Sequence, residues 1–256
     1  SLPERAYYLE DREDYKAARA AFLEHVAALM QLAGADDQTA KAQAQDVLAF
    51  ETRLAKASLG RLELRDPANR YNPVSLADAD ASTPNFSWTQ FFTALDVDAP
   101  QTFSLPMPGF FKEVDAMLAD VPLETWKTWL RFRTIDDASP YLSNAFAERN
   151  FEFYGKTLRG QKEMQERWKR VLGALNGSMG EGFGQLYVEQ AFPPESKAKM
   201  EELVGNLMAS LKTRLENLEW MSEDTKAKAI EKWSSFTPTV GYPDKWRDWS
   251  GLEFSD

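Results

Sequence analysis

The sequence predicts an all-α fold. Over most of the chain, apolar side chains recur at spacings of three and four residues, which is the period of one helix face. Prolines and short polar side chains stand at the boundaries of these periodic segments, where helices begin and end. A hydrophobic fraction of 43% over 256 residues is sufficient for one large core or two smaller ones.

Two helices are predicted in the first 60 residues. The first covers residues 11–33 and ends at Gly34, a residue that favours C-terminal caps. Its apolar face consists of Tyr15, Ala18, Phe22, Val26 and Leu29. The second covers residues 37–58, begins at Asp36 or Asp37, and carries Val47, Leu48, Leu54 and Ala55 on one face.

The next segment is more irregular. Residues 62–78 are predicted to form a loop, because Pro67 and Pro73 would break a helix there. Ser87 and the Gln three residues later form a capping box that predicts a short helix start. Residues 101–111 are expected to be extended or to turn.

Five further helices are predicted from Pro122 onward. Pro122 begins a helix that Pro140 ends or kinks, and another helix follows over roughly residues 141–154, before a turn at 155–160. A long helix is expected over 161–190, and a proline-initiated helix runs from there to about 218. Ser222 caps the last helix, and residues 237–256 are irregular and rich in aromatic side chains.

The stretch "NGSMGEGFGQLYVEQAF", residues 176–192, is glycine-rich but does not match a nucleotide-binding loop. Its glycines lack the spacing of a dinucleotide fingerprint, and no lysine follows as in a P-loop. At 100° per residue they fall on one narrow face of the long helix, opposite a bulky apolar face. Each helical glycine costs about 1 kcal/mol relative to alanine. We therefore expect close packing of another helix on Gly173, Gly177, Gly180 and Gly184.

Composition excludes several classes of function. The net charge of −10 argues against a nucleic-acid-binding surface. No apolar run is long enough for a membrane span, and the chain does not open on a secretory leader. With no cysteine and a single histidine, a His-based zinc site, a Ser-His-Asp triad and a Cys-His pair are hard or impossible to build from this chain.

The sequence contains three candidate sites. The lone imidazole of His25, at the edge of an apolar stripe, is typical of a packed or surface residue rather than of a zinc ligand. Asp136 and Asp137 in "TIDDASP" suggest a magnesium motif, but Pro140 stands where a third acidic residue is needed. Glu51 lies on a buried helix face, where a carboxylate must be paired, hydrogen-bonded or neutral.

For Glu51, an internal ion pair with Arg131 or Arg133 is favoured, and a general acid or base role is the alternative. The helical spacing of the tryptophans predicts core side chains rather than ligand-stacking ones, for Trp126, Trp129, Trp168, Trp220 and Trp233. No catalytic, cofactor-binding or metal-binding residue is therefore predicted in this chain.

Several segments together resemble the neprilysin and endothelin-converting-enzyme family of zinc metallopeptidases. "LPERAYYL" at 2–9 resembles the family's G-L-P-x-R-x-Y-Y, with Ser1 in place of the glycine. The resemblance covers essentially the whole chain, and its most specific parts are the helix at 161–190 and "GYPDKW" at 241–246. Other similar segments, in the family's order, are "VLAFETRLAKAS" (47–58), "LRDPANRYNPVSL" (64–76), "PNFSWTQF" (84–91), "NFEFYGKTLRG" (150–160) and "WMSEDTKAKAIEK" (220–232).

The resemblance implies a helical lid lobe from a two-lobed enzyme that encloses a cavity. The catalytic lobe would carry H-E-x-x-H, a downstream Glu ligand and the N-A-[FY]-Y motif, none of which occurs here; "NAFA" at 144–147 lies in the wrong region. Residues 1–256 would then form the non-catalytic N-terminal portion, and 237–256 would begin the connection to the catalytic lobe.

The function implied is that of a zinc-dependent endopeptidase whose zinc ligands lie outside this chain. Its expected partners are peptide substrates and the missing catalytic lobe, with no nucleic acid. The lack of cysteine suggests a bacterial member, exported to the periplasm or, alternatively, cytoplasmic. A free-standing, non-catalytic helical interaction domain is the alternative function.

Overall fold

The computed structural model describes residues 1–253 and confirms the all-α prediction. The chain forms two compact units, residues 1–164 and the residues from 165 onward. No described helix is long and apolar enough to span a membrane. The α-helices are α1 Arg5–Leu9, α2 Glu13–Leu32, α3 Asp37–Ala57, α4 Leu76–Ser82, α5 Trp88–Ala94, α6 Pro108–Asp120, α7 Leu123–Ala138, α8 Asn144–Asn150, α9 Arg167–Ala191, α10 Pro194–Glu216 and α11 Glu223–Ser234.

The core of the first unit lies among α2, α3, α7 and a π-helix, Phe151–Thr157. The ring of Phe22 on α2 meets the rings of Phe132 and Phe153, with centroids 5.8 and 5.7 Å apart. Aliphatic side chains from α2 and α3 complete the cluster, among them Val26, Leu29 and Val47. This packing is the source of the three- and four-residue periodicity in the sequence.

Local capping signals predicted helix starts correctly. Asp36 accepts a hydrogen bond from the backbone N–H of Thr39 (2.8 Å) at the start of α3. The hydroxyls of Ser87 and Ser222 do the same for α5 and α11. Gly34 follows α2 with φ +99°, a conformation that glycine adopts without strain. These boundaries depend on a few neighbouring residues, which is why sequence alone could place them.

The segment from 62 to 111 is more ordered than predicted. Two antiparallel strands, β1 Pro73–Ser75 and β2 Thr102–Ser104, pair with Val74 opposite Phe103. The helices α4 and α6 were also missed, and Pro108 occupies the first turn of α6 instead of a loop. A strand of three residues is too short to display an alternating pattern, and Trp88 holds the segment together through tertiary contacts with Phe103 and Phe111.

In place of the single helix predicted over 141–154, the chain forms an α-helix followed by a π-helix. The α-helix α8 ends at Asn150, and the chain continues as the π-helix through the residues predicted to begin a turn. Gly155 lies inside this wider helix and is buried. A Cβ at this position would clash with the ring of Phe151, so any larger residue here forces that ring to move.

The long glycine-containing helix, α9, differs from its prediction in two respects. It starts at Arg167 rather than at 161, and Met179 departs from helical geometry (φ −131°, ψ 31°), which introduces a kink among the glycines. A Cβ at Gly173 or Gly177 would have no atom within 4 Å among the described residues. The expected helix–helix contact on the glycine face is therefore wrong for this half of α9.

The other half of α9 is covered by an irregular segment instead of a helix. The indole of Trp249 lies over Gly182, where an added Cβ would be 3.1 Å from its Nε1, and Trp246 approaches Gly184. The irregular structure predicted for 237–256 is confirmed for 237–253, and residues 254–256 lie outside the described residues.

The tryptophans divide into two groups. Trp126 and Trp129 pack on Phe50, with ring centroids 4.7 and 4.8 Å away, as predicted for core residues. Trp233 donates to the carbonyl of Met208 (2.9 Å). Trp168 and Trp220 are exposed, so the core prediction is wrong for them. Helical spacing identifies a face but not whether that face is covered.

The contrast between Gly155 and Gly177 gives a first prediction. Gly155→Ala should lower the free energy of unfolding by about 1–3 kcal/mol, because the ring of Phe151 would have to move. Gly177→Ala should raise it by about 0.5–1 kcal/mol, since alanine favours the helix and meets no atom. Urea denaturation of both variants measures the two changes, and a Gly155→Ala variant as stable as the parent would contradict the π-helix packing.

Candidate functional site

The first unit holds a network of polar side chains inside its core, and this network contains one residue from each of the three candidate sites in the sequence. Glu51 comes from α3, Asp136 from the last turn of α7 and His25 from α2. Each side chain lies on the same helix face as buried apolar neighbours, so helical periodicity carries it into the core. The N-terminal segment and the π-helix contribute the remaining members.

Glu51 is buried and is bound by neutral hydrogen-bond donors. The hydroxyl of Tyr8 donates to its Oε2 (2.7 Å), and the hydroxyl of Ser1 donates to its Oε1 (2.8 Å). The indole N–H of Trp129 also donates to Oε1 (3.2 Å). Hydrogen bonds to a carboxylate offset much of the cost of removing it from water. Sequence reasoning placed Glu51 correctly on a buried face.

The predicted ion pair of Glu51 is wrong. Arg133 donates instead to the hydroxyl of Ser1 (2.7 Å) and to Asp137 (3.2 Å), and it lies 3.8 Å from Asp136. Arg131 donates to the carbonyl of Ala33 (3.1 Å). Arg133 thus reaches Glu51 only through Ser1, because the donors that touch the carboxylate come from α1, α7 and residue 1.

The second buried carboxylate, Asp136, binds the only histidine of the chain. His25 Nε2 lies 2.8 Å from Asp136 Oδ1, and both side chains are almost completely buried. The hydroxyl of Tyr154 donates to Asp136 Oδ2 (2.6 Å), and the nitrogen of Ser1 donates to the Tyr154 hydroxyl (2.6 Å). Ser1 therefore links the Glu51 and Asp136 parts of the network.

Aromatic rings enclose the imidazole of His25. The ring of Phe153 stacks on it with a centroid distance of 4.6 Å, and Phe132 and Tyr154 present their edges. With Nε2 directed at Asp136, the other nitrogen, Nδ1, is buried and has no hydrogen-bond partner among the described residues. A second proton on this ring would have no acceptor.

Burial and hydrogen bonding shift the pKa values of several groups in the network. Burial lowers the pKa of His25 below its ordinary value, although Asp136 partly opposes this shift. Burial works against ionisation of Asp136, but hydrogen bonds from His25 and Tyr154 outweigh it, so that the pKa of Asp136 is lowered. Burial, together with the nearby carboxylate in each case, raises the pKa values of Tyr8 and Tyr154. The network therefore contains ionised Asp136 beside a neutral imidazole near pH 7.

The geometry of the buried network favours a structural role over a catalytic one. An open groove of about 610 Å³ on this unit is lined by residues of α2, α8 and the π-helix, including Gln31 and Glu148, and by none of the network residues. The two carboxylates have their donors within the protein and are removed from solvent. A general acid or base must instead reach a substrate directly or through water.

The described residues do not fit a zinc site. They contain no group of three or more His, Cys, Asp or Glu side chains placed to hold a metal ion. The one imidazole is stacked on Phe153 and its Nε2 is directed at Asp136. A catalytic zinc site needs about three converging protein ligands and an open position for water.

The pairing of His25 with Asp136 was missed from the sequence. The two residues are 111 positions apart, and no local pattern connects them. One signal was present: Asp136 follows Phe132 by four residues and so shares its helix face. A carboxylate on the face of a core phenylalanine needs a buried donor, as Glu51 does.

Substitution of Glu51 tests whether the buried polar network stabilises the first unit. Glu51→Ala should lower the free energy of unfolding by about 1–3 kcal/mol, because Tyr8, Trp129 and Ser1 lose their acceptor. Glu51→Gln should lose less, since its amide oxygen can still accept. Asp46→Ala, on the exposed side of the same helix, is the matched control and should change stability little. Equal effects of the Glu51 and Asp46 substitutions would contradict a stabilising role for the network.

The buried imidazole predicts a loss of stability in mild acid. Because the pKa of His25 is lowered on folding, the unfolded chain binds its proton first, and stability falls as the pH drops below about 6.5. The lowered pKa of Asp136 extends the loss below about pH 3.8. As His25 is the only histidine, an NMR titration of its ring reports the folded pKa without ambiguity. A folded pKa at or above 6.5 would contradict the geometry.

Comparison with known proteins agrees with this reading of the fold. The family model described as "Peptidase family M13" matches residues 1–243. Endothelin-converting enzyme-like 1 of Mus musculus is 31% identical over 95% of the chain, and the neutral endopeptidase of Lactobacillus helveticus is 29% identical over 85%. The chain spans about a third of the length of these curated relatives, 32% and 33% respectively.

A solved structure gives the same result at the level of the fold. The zinc metalloprotease ZMP1 of Mycobacterium tuberculosis, in complex with an inhibitor, is 34% identical and matches 98% of this chain with a TM-score of 0.86. The match covers 38% of the ZMP1 chain. The family match over most of the sequence and the shared helical fold lead to one conclusion. This chain belongs to peptidase family M13 and corresponds to the N-terminal helical part of the proteins in that family.

Proposed function

We propose that this chain is the non-catalytic, helical part of a zinc-dependent endopeptidase that cleaves peptides. The observation that carries the proposal is the partial match to ZMP1, a zinc metalloprotease: nearly all of this chain aligns, but with little more than a third of that protein. The zinc ligands, H-E-x-x-H and a downstream Glu, are then expected in polypeptide that is not part of this sequence.

The first unit supports a role in shaping a substrate cavity. Its buried network ties residue 1, α1, α2, α3, α7 and the π-helix together through two carboxylates. A wall that admits peptides of limited size must keep its shape, and satisfied buried polar networks favour a single packed arrangement. The network would thus contribute to substrate restriction without touching the substrate.

The connection to the catalytic part is proposed to begin within residues 237–256. Residues 237–253 contain neither helix nor strand, and the family match ends at residue 243. We further propose a bacterial enzyme that is exported to the periplasm, with a cytoplasmic location as the alternative. The bacterial relatives and the cysteine-free composition support a bacterial origin.

Metal analysis and a peptide assay test the division of labour. After dialysis, the 256-residue chain should contain well under about one zinc per molecule and leave a fluorogenic peptide intact, because its residues do not provide about three zinc ligands. A longer polypeptide that includes the rest of the reading frame should bind about one zinc and cut the peptide.

Two controls make the assay decisive. A chelator should abolish cleavage by the longer polypeptide, and added zinc should restore it. Stoichiometric zinc or cleavage with the 256 residues alone would overturn the proposal. A reading frame without H-E-x-x-H would favour the alternative, a free-standing helical interaction domain.

A further inference from the structure

The open groove on the first unit is lined by charged side chains of both signs. This Arg149 groove, of about 610 Å³, lies between α2 and the stretch in which α8 continues as the π-helix. Its lining includes Ala28, Gln31 and Leu32 from α2, Glu148 and Arg149 from α8, and Glu152 from the π-helix. Ligand sites typically have volumes of about 300–1,000 Å³, so the groove has room for a small molecule or a short peptide.

The guanidinium of Arg149 is incompletely satisfied by the protein. The side chain is only partly exposed, and its Nε is buried without a hydrogen-bond partner among the described residues. Burial outweighs the nearby carboxylates of Glu24 and Glu152 and lowers the pKa of Arg149 below its ordinary value. A partly desolvated cation gains more from an added carboxylate than a fully hydrated one does. The part of Arg149 that lines the groove is therefore suited to bind a carboxylate.

Acceptor groups stand beside this cation in the same groove. Glu148 is exposed, and Glu152 binds Lys156 through one carboxylate oxygen, Oε1 (2.5 Å), which leaves its other oxygen available. The amide nitrogen of Gln31 donates to Asp37 (2.9 Å), which leaves the amide oxygen as an acceptor. These groups are suited to bind an ammonium group.

The mixture of charges restricts the class of ligand. A simple anion is attracted by Arg149 but repelled by Glu148 and Glu152, and a simple cation meets the opposite difficulty. A molecule that carries one group of each sign satisfies both parts of the groove. The charge pattern therefore favours a zwitterion.

The backbone beside the groove has an uncommon geometry. Glu152 belongs to the π-helix, a form that is rare in proteins and frequent at functional sites. The same short element contributes Phe153 and Tyr154 to the surroundings of His25. Arg149 also influences this imidazole, since its charge contributes to the lowered pKa of His25. The ring of His25 is therefore a reporter of events in the groove.

We propose that the Arg149 groove binds a short peptide by its two ends, with the terminal carboxylate at Arg149 and the terminal ammonium group at Glu148 and Glu152. Only a short peptide brings both ends into one groove, since each added residue lengthens an extended chain by about 3.3–3.6 Å. Peptide cleavage releases fragments that carry both end groups. The further assignment of the ligand as a reaction product rests on the proposed function.

Titration of the 256-residue chain with trialanine tests the proposal. Isothermal calorimetry measures the affinity, and NMR follows the ring signals of His25, the only imidazole. Trialanine should bind saturably and shift these signals. N-acetyl-trialanine and trialanine amide each lack one charged end and should bind at least about tenfold more weakly. A peptide of about ten residues should also bind more weakly, because its ends are too far apart.

Substitutions locate the site. Arg149→Met should weaken the binding of trialanine at least about tenfold and leave the melting temperature unchanged or higher, because it removes a partly buried charge that lacks a full set of partners. Arg159→Met, at an exposed arginine outside the groove, is the matched control and should bind as the parent does. A Glu148→Gln, Glu152→Gln double variant alters only exposed side chains. It should weaken the binding of trialanine but not that of its N-acetyl form.

Several results would overturn the proposal. These are the absence of saturable binding up to about 20 mM trialanine, binding that survives Arg149→Met, and equal affinity for the free and N-acetyl forms. If Arg149→Met does not fold, the double variant decides in its place. Binding that is lost in the longer polypeptide would show that the polypeptide itself fills the groove, which also overturns it.

The titration requires neither zinc nor cleavage. A failure to bind trialanine would therefore leave the proposed function intact. Binding of trialanine by a chain whose longer form neither holds zinc nor cuts peptides would retain the peptide site and remove only its assignment to a reaction product.

Discussion

Two carboxylates buried in one core, Glu51 and Asp136, impose the strictest constraint on the first unit. An unpaired charge in such a place costs several kcal/mol, so each oxygen must meet a donor at hydrogen-bond distance. The donors come from residue 1, α1, α2, α7 and the π-helix. These hydrogen bonds constrain the positions of the donor-bearing elements relative to α3, and the rings of Phe22 and Phe153 pack against each other in the same core.

The buried polar groups of the first unit bind one another and are not directed at solvent, which favours a structural role over a catalytic one. His25 and Asp136, whose pKa values are both lowered, bind each other, and the ring of Phe153 stacks on the imidazole. Perturbed groups of this kind also occur in active sites, so perturbation alone does not distinguish the two cases. Here access distinguishes them: the pair is buried, and the open groove of the unit is lined by other side chains. The buried network therefore stabilises the packing of the first unit, which is consistent with the non-catalytic role proposed for this chain.

The second unit has the opposite character. Its longest helix, α9, directs apolar side chains outward at Trp168 and Leu172 and is kinked at Met179 among glycines. The glycines differ in their surroundings. Gly182 allows the indole of Trp249 to approach the backbone, whereas no described residue packs on the helix at Gly173 or Gly177. A unit with so much exposed apolar surface is suited to assembly with other polypeptide.

The sequence by itself determined the features that depend on neighbouring residues. The helix periods, the caps at Asp36, Ser87 and Ser222, and the burial of Glu51 follow from interactions within three or four positions, which a linear pattern records. The periodicity predicted the all-α fold class, and the family resemblance, carried by ordered segments along the whole chain, predicted the family that the match to peptidase family M13 confirms.

The tertiary structure alone decided which distant groups meet. His25 and Asp136 are 111 residues apart, the donors of Glu51 come from two other helices and residue 1, and the strands β1 and β2 are too short to show a pattern. The π-helix depends on Gly155 being enclosed by Phe151, and the exposure of Trp168 depends on what lies next to α9. A sequence pattern gives the direction of a side chain around its own helix axis, but the partner it meets is set by how separate helices pack, and that is a property of the whole fold.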